Sequence, residues 1–397
     1  MRVLHVIPSI APVRGGTSQA ILEMVKSLRL HGVDAEIATT NDNGEYLLEV
    51  PLGKPIKYEE VPIWFFSRFS PNARSIREFA FSRQLTKWLW QQIPQHDLWH
   101  VHAVFSYPST VAMAIARLRN IPYISIPHGL LCQWSLQQSA SKKQIYLNLI
   151  ERANLHHSQA LHFTSLQEQR EASELNLKPP SFILSHGVSV PASIPNAHYQ
   201  LRQRLNLPED EPIILFISRL HPKKGLEYLI PALGKLADQR FTFVLAGSGS
   251  SEYEAKIDAL LIAAGIDKCT YRSGFATGEM KDLLLQGSDL FALTSHSENF
   301  GVVVLEALAV GLPVLLTPGV ALASMVKQHQ LGYVAELDVA AIASAIKHWL
   351  NHRQEAKAIG NRARQLILKQ YTWDGIALNL IEVYTAIIKN YPVPVFY

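Results

Sequence analysis

The chain has 397 residues, 48% of them hydrophobic and 18% charged, with a formal net charge of +4. That composition excludes a disordered or fibrous chain, and the length exceeds one ordinary core, so two domains are expected. The two cysteines, Cys132 and Cys269, lie far apart; they give no disulfide framework or metal-site spacing and suit a reducing compartment.

Short β-rich runs alternate with helical patterns from the start. MRVLHVIPSI is apolar over too short a span for a secretory leader and reads as a first buried strand. A soluble, cytoplasmic protein is expected. Further strands are expected at 34–40, 98–104, 122–128, 160–165 and 181–188. The helix SQAILEMVKSLRLHG lies between the first two and ends on Gly32, as a C-terminal cap should.

Segment 61–96 is basic and aromatic, with Arg68, Arg74, Arg77, Arg83 and Lys87 against Glu78. A local surface device fits this better than a nucleic-acid-binding face. A helix from Arg74 to Ile93 would place Phe81, Leu85, Trp88 and Leu89 along one stripe. Its readings are a core helix with a solvated edge, or peripheral contact with the inner face of the plasma membrane through 61–96.

Residues 191–212 are proline-rich and polar, a hinge or linker candidate. The pattern then restarts with strands at 213–220, 241–249, 269–275, 290–295 and 313–318. Two such series predict an α/β chain of two doubly wound domains with parallel sheets, facing each other across a cleft. The expected division is 1–190 and 191–377, with a C-terminal helix at about 378–397 crossing back to the first domain. Ligands of such sheets sit beyond the carboxyl ends of the strands.

The stretch SHSENFGVVVLEALAVGLPVLLTPG (295–319) carries two carboxylates in an apolar setting. Glu306, Gly311, Pro313 and Pro318 argue against a membrane helix here. The stretch parses as a loop through Glu298, a helix from about Val302 to Val310, a stop at Gly311 and another strand. Gly301 lets a ligand approach bare N–H groups, which the helix dipole makes anion-loving. Glu306 falls about 6 Å along the axis from Val302. A buried, unpaired carboxylate is costly, and two ribose hydroxyls donating to it would satisfy it. The alternative is a structural pair with a core arginine.

In SRLHPKKGL (218–226), Arg219 and Lys224 flank a turn containing Pro222, and Gly225 opens the next helix. Two fixed cations there would bind a diphosphate and stabilise it as a leaving group; a solvated basic turn is the alternative. Gly15, Gly16 and Thr17, in PVRGGTSQA, form a candidate phosphate or substrate loop that matches neither a Walker motif nor G-x-G-x-x-G. His128 ends a strand, facing the cleft. His100 and His102 share a strand face but lack a third metal ligand in the sequence pattern, so core or cleft lining is favoured over zinc. AGSGSSEYEAKI (246–257) has Glu252 at the third fingerprint position, so dinucleotide binding is disfavoured.

Taken together, Glu298-x7-Glu306 followed by EALAVGLPV, SRLHPKKG and the Gly-Gly-Thr loop resemble the retaining glycosyltransferases of family 4, of GT-B fold. Pro127-His128-Gly129, HFTS and LNLIER resemble its polysaccharide-biosynthesis branch. The resemblance covers nearly the whole chain. It implies that Arg219 and Lys224 grip the donor diphosphate beside Ser218 and that Glu306 binds the nucleotide ribose. Glu298, Asn299, Phe300, Gly301 and Val302 would hold the donor sugar. Gly15, Gly16 and Thr17 would approach the diphosphate or acceptor, Gly274 and Phe275 would border the base, and His128 would lie near the reacting sugar. His128, Arg219, Lys224 and Glu298 are thus the expected catalytic set. Asn299, Ser218, His186 and Cys132 depart from the family's usual Gly, Gly, Asn and acid.

The activity implied is transfer of a hexose from a nucleotide-sugar donor, UDP-glucose or another UDP-hexose first and GDP-mannose next. The acceptor would be a glycan or lipid-linked glycan in bacterial cell-surface or exopolysaccharide synthesis. No metal or other cofactor is expected, because no D-x-D follows a buried strand and EDE (209–211) sits in the linker. A sugar-nucleotide 2-epimerase and a non-catalytic sugar-nucleotide-binding protein are the rival readings.

Overall fold

The computed structural model describes residues 1–92 and 95–396. Ile93 and Tyr397, the ends of two expected helices, lie outside the described residues. The chain divides into two compact units, Met1–Gly187 with Trp373–Tyr397, and Val188–Thr372. Among the described residues, no helix is long and apolar enough to cross a membrane.

The first unit is built on strands β1 (Arg2–Val6), β2 (Asp34–Thr40), β5 (Pro55–Tyr58), β6 (Val61–Phe66), β7 (Leu98–His102), β8 (Tyr123–Ile126), β9 (Ala160–Phe163) and β10 (Ser181–Ile183), with β3 (Asp42–Asn43) and β4 (Tyr46–Leu47) as a separate hairpin. The main sheet runs β10-β9-β8-β7-β1-β2-β6-β5 and is parallel except for β5, which pairs antiparallel with β6. Its central strands are buried on both faces because both are covered. One face packs under helices Gly16–Leu30 and Trp373–Ile388, the other under Arg83–Gln91 and Tyr107–Leu118.

The helix Trp373–Ile388 belongs to the first unit although it follows the second in sequence. Ile376, Leu380, Val383, Tyr384 and Ile387 recur at helical spacing and are buried against the sheet and the helix Gly16–Leu30. It begins at Trp373 rather than near 378 and ends at Ile388.

Two expectations are corrected. The single helix from Arg74 is two helices, Arg74–Glu78 and Arg83–Gln91, parted by Ala80 at φ 59°. The Ser82 hydroxyl accepts from Leu85 N at 3.3 Å and caps the second helix, which a continuous helix would forgo. Leu85, Trp88 and Leu89 are core, whereas Phe81 precedes the helix and is 39% exposed. Trp64, Phe65 and Phe66 lie on β6, in the sheet. The second correction concerns 191–212, which is not a bare linker. It contains the helix Ala197–Leu205, and the Gln286 side chain ties Ile194 N and Ala192 O to the second unit at 2.9 and 3.0 Å.

The second unit has one parallel sheet in the order β13-β12-β11-β14-β15-β16, where β11 is Ile213–Ile217, β12 Thr242–Ala246, β13 Thr270–Gly274, β14 Leu290–Leu293, β15 Val314–Leu316 and β16 Gly332–Val334. The chain winds outward from β11 through β12 to β13, then returns to β14 on the other side of β11 and winds outward again. The switch between β11 and β14 opens a crevice at their carboxyl ends, where ligands of such sheets bind.

Leu380 is fully buried in the core that joins the last helix to the first unit. Leu380→Ala should cost about 2–5 kcal/mol by lost burial and cavity formation. Urea denaturation checks this, and a loss well under 1 kcal/mol would mean that the last helix is not part of that core.

Candidate functional site

The loops beyond β11 and β14 are locked together by backbone. Gly225, at φ 66°, passes so close to Thr294 that a Cβ would stand 1.9 Å from the Thr294 carbonyl oxygen. The Thr294 hydroxyl donates to Gly225 O at 3.0 Å, and His296 N donates to Lys223 O at 2.9 Å. The turn Pro222–Lys224 is therefore held at the switch point, and Gly225 starts the helix Leu226–Gly234 behind it. On that turn the Lys224 ammonium is buried and ion-paired with the Glu298 carboxylate from the loop after β14. Lys224, expected as one of two fixed cations for a diphosphate, has Glu298 as its partner in this structure. Arg219 is exposed and makes no ion pair among the described residues.

Glu298 is held from behind. Its N–H donates to Gly319 O at 2.8 Å and its carbonyl accepts from Ala321 N at 3.0 Å. Gly319 is needed here because a Cβ would lie 2.2 Å from His296 O. Asn299 is half-buried and Phe300 buried, and Gly301 in left-handed conformation (φ 79°, ψ 63°) caps the helix Val302–Ala309 as expected.

Glu306 lies half-buried on that helix. Its carboxylate accepts from Lys281 Nζ at 2.6 Å, across from the helix Gly278–Gly287. The carboxylate therefore has an ion-pair partner in this structure, a lysine where the structural alternative named an arginine. Its partner is a lysine 25 residues upstream with no motif around it. Both acids of the E-x7-E spacing thus carry an ammonium partner, Lys224 on one and Lys281 on the other.

The third edge of the site comes from β12 and β13. Gly247 runs against the loop after β11, where a Cβ would meet Ser218 O at 1.9 Å, and Gly247 N donates to Gly274 O at 2.7 Å. Ser218, Gly247 and Gly274 are stitched by backbone, and Phe275 projects beyond them at 57% exposure.

In the first unit, Gly15 (φ 88°) precedes the helix beginning at Gly16, with Thr17 half-buried in its first turn. Arg14, just before, bonds Asp42 at 2.7 and 2.8 Å through two nitrogens. Arg68, buried, also pairs with Asp42 and donates to Gly44 O at 2.8 Å. The Asp42 carboxyl is held below its ordinary value, burial being outweighed by bonds and charge from Arg14 and Arg68.

His128 sits in left-handed backbone (φ 54°) beyond β8, with Nε2 3.0 Å from His102 Nδ1 and its ring stacked on His186 at 5.5 Å. Burial, reinforced by neighbouring imidazoles, keeps His128 well below the usual histidine pKa, hence neutral near pH 7. The following Gly129 N–H donates to the buried Glu168 carboxylate, which also accepts from Thr164 N and Oγ1 at 2.8 Å. Glu168 was missed in sequence, though Ser165-x-x-Glu168 has the spacing of a helix-capping box.

Family models match both halves. The one described as Glycosyl transferases group 1 matches residues 199–366, and the one described as Glycosyl transferase 4-like domain matches 15–183. The chain belongs to the family 4-like glycosyltransferases of GT-B fold. An uncharacterized glycosyltransferase of Methanocaldococcus jannaschii is 31% identical over 46% of this chain and 47% of its own length. The match thus spans about half of that relative. A D-inositol 3-phosphate glycosyltransferase of Xylanimonas cellulosilytica is 24% identical over 95% of this chain and 93% of its own. Among solved structures, HepE from Anabaena, in complex with UDP and glucose, superposes with a TM-score of 0.77 at 19% identity, covering 97% of this chain and all of its own. The fold expectation therefore holds, and the matched stretch 199–366 contains Arg219, Lys224, Glu298 and Glu306.

Gly225→Ala should lose at least about 1–3 kcal/mol from the left-handed conformation alone, before the clash with Thr294. Thermal or denaturant melting measures it. A melting temperature equal to that of the unaltered protein would show that the two loops are not held as described.

Proposed function

We propose that this glycosyltransferase is a retaining enzyme that moves a hexose from a nucleoside-diphosphate sugar to a glycan or lipid-linked glycan. What supports this reading is the buried Lys224–Glu298 pair at the β11/β14 switch, with Arg219 exposed on the Lys224 loop and a helix N-cap, Gly301, three residues beyond Glu298. A diphosphate needs cations and N–H donors, a sugar needs a carboxylate acceptor, and this arrangement offers both. The ligands in the HepE structure, UDP and glucose, make a UDP-hexose the first donor to test. GDP-mannose is the second.

In this reading the donor competes for the ammonium groups. The β-phosphate draws Lys224 from Glu298, releasing that carboxylate to accept from sugar hydroxyls. Glu306, held by Lys281, accepts from the ribose hydroxyls. As the sugar–phosphate bond breaks, negative charge grows on the leaving diphosphate, and Arg219, Lys224 and the start of the helix Val302–Ala309 stabilise it. The acceptor hydroxyl attacks from the face the diphosphate leaves, and a phosphate oxygen takes its proton. No metal is needed at the diphosphate and no other cofactor is required, so added magnesium or manganese should change turnover little.

The acceptor side rests on an aromatic surface of the first unit. Phe69 meets Phe81, Phe81 meets Tyr107, Tyr107 meets Phe79, and Phe79 meets Tyr146, each pair at 4.5–6.5 Å between ring centroids. Exposed Ile76, Ile145 and Leu149 share the helices or turns around it, with Arg74 and Lys142 as exposed cations. A basic, apolar surface of this kind suits a lipid-linked acceptor at an anionic membrane, working from the cytoplasmic side. Flotation with anionic vesicles at low salt should carry the protein upward, and failure to co-float would remove the membrane part of this reading.

Arg219→Ala should lower turnover by about 10–150-fold, the kinetic equivalent of one charge-assisted hydrogen bond, with no loss of fold because the side chain is exposed. Glu306→Gln should weaken UDP binding by about 1.5–3 kcal/mol. Calorimetric titration of UDP and turnover with a radiolabelled UDP-hexose test both. Activity within a few-fold of the unaltered enzyme in Arg219→Ala, together with unchanged UDP affinity in Glu306→Gln, would exclude this site as the donor site. Conversion of the labelled donor to its epimer without transfer would favour a 2-epimerase instead.

A further inference from the structure

The sequence pattern left His100 and His102 without a third ligand; the fold supplies one from 95 residues upstream. His5 on β1 is the register partner of His100 on β7, and His102 follows two residues later on the same face. All three imidazoles are fully buried, and one nitrogen from each lies within 4.8 Å of the others. The closest pair, His5 Nδ1 and His102 Nε2, is already 3.0 Å apart. Metal–imidazole bonds of about 2.0–2.1 Å in tetrahedral arrangement hold ligand nitrogens about 3.3 Å apart, so only small ring rotations separate this cluster from a closed site.

Proton counting shows why the cluster is suited to a cation. Each buried ring, as a neutral imidazole, has one proton and one lone pair. Leu184 O can only accept, so His162 Nε2, 2.7 Å away, donates to it. His162 Nδ1 then accepts from His100 Nε2 at 3.4 Å, and His100 Nδ1 accepts from the Tyr384 hydroxyl at 2.8 Å, a bond that a cation on Nδ1 would replace. The second chain runs His5–His102–His128 and ends in two ring nitrogens, His5 Nε2 and His128 Nδ1, with no hydrogen-bond partner. Whichever way its protons point, one end keeps an unpartnered N–H and the other an unpartnered lone pair.

We propose that His5, His100 and His102 form a three-imidazole site for one transition-metal cation. Imidazole is a ligand for copper, zinc, nickel and iron. The site is buried and brings no carboxylate, and the cost of burying an ion rises with the square of its charge, so Cu⁺ is the ion it favours. The cation ties β1 to β7. With the metal on His102 Nε2, the His102 proton sits on Nδ1 and is donated to His128 Nε2, which places the remaining proton of His128 on Nδ1. The site thereby fixes one tautomer of His128 without lying at the donor-binding residues.

Anaerobic titration of the full chain with Cu⁺, followed by X-ray absorption at the copper edge, tests the proposal. One copper per chain is expected, with a first shell of imidazole nitrogens. His5→Asn should weaken binding at least about tenfold. His348→Ala, which breaks an exposed histidine pair with rings stacked at 4.2 Å, should leave it unchanged. If His5→Asn does not fold, the absorption spectrum and the His348→Ala titration still decide. No stoichiometric binding, sulfur scattering from Cys132 or Cys269, or loss of copper in His348→Ala would overturn the site.

Discussion

The Lys224–Glu298 ion pair is the interaction on which the second unit's candidate site depends. It bridges loops from either side of a sheet's switch point, the one place where a doubly wound sheet leaves a crevice. Burying an ammonium there without a partner would be costly, and the carboxylate offsets that cost. The same pair explains why backbone, rather than side chains, brings the loops together. Gly225 against Thr294 and Gly319 against His296 leave no room for a Cβ, so the charged groups are presented on a rigid frame.

A second consequence concerns the other acid. Glu306 and Lys281 repeat the arrangement one helix away, so the E-x7-E spacing is two carboxylate–ammonium pairs rather than two bare acids.

Much of this was legible in the sequence because it is local. Strand, loop, glycine and helix follow one another within 290–309, and the Glu298 and Glu306 positions come directly from that order. The strand alternation likewise gave two parallel sheets. What was not legible lies far apart in the chain. Lys224 reaches Glu298 over 74 residues and Lys281 reaches Glu306 over 25. His5 meets His102 over 97. No spacing rule links such positions; only strand order does. The helix expected from Arg74 failed for another reason, since the hydrophobic stripe was followed past Ser82, whose capping side chain marks a new start.

The account stands or falls on whether a nucleoside diphosphate takes Lys224 from Glu298. Thermal melting of four proteins, the unaltered chain, Lys224→Met, Glu298→Gln and the double variant, each with and without saturating UDP, measures this by mass action. UDP should raise the melting temperature of the unaltered chain and of Glu298→Gln, and the rise should be largely lost wherever Lys224 is replaced. An equal rise in Lys224→Met would contradict it, because the diphosphate would then be held elsewhere.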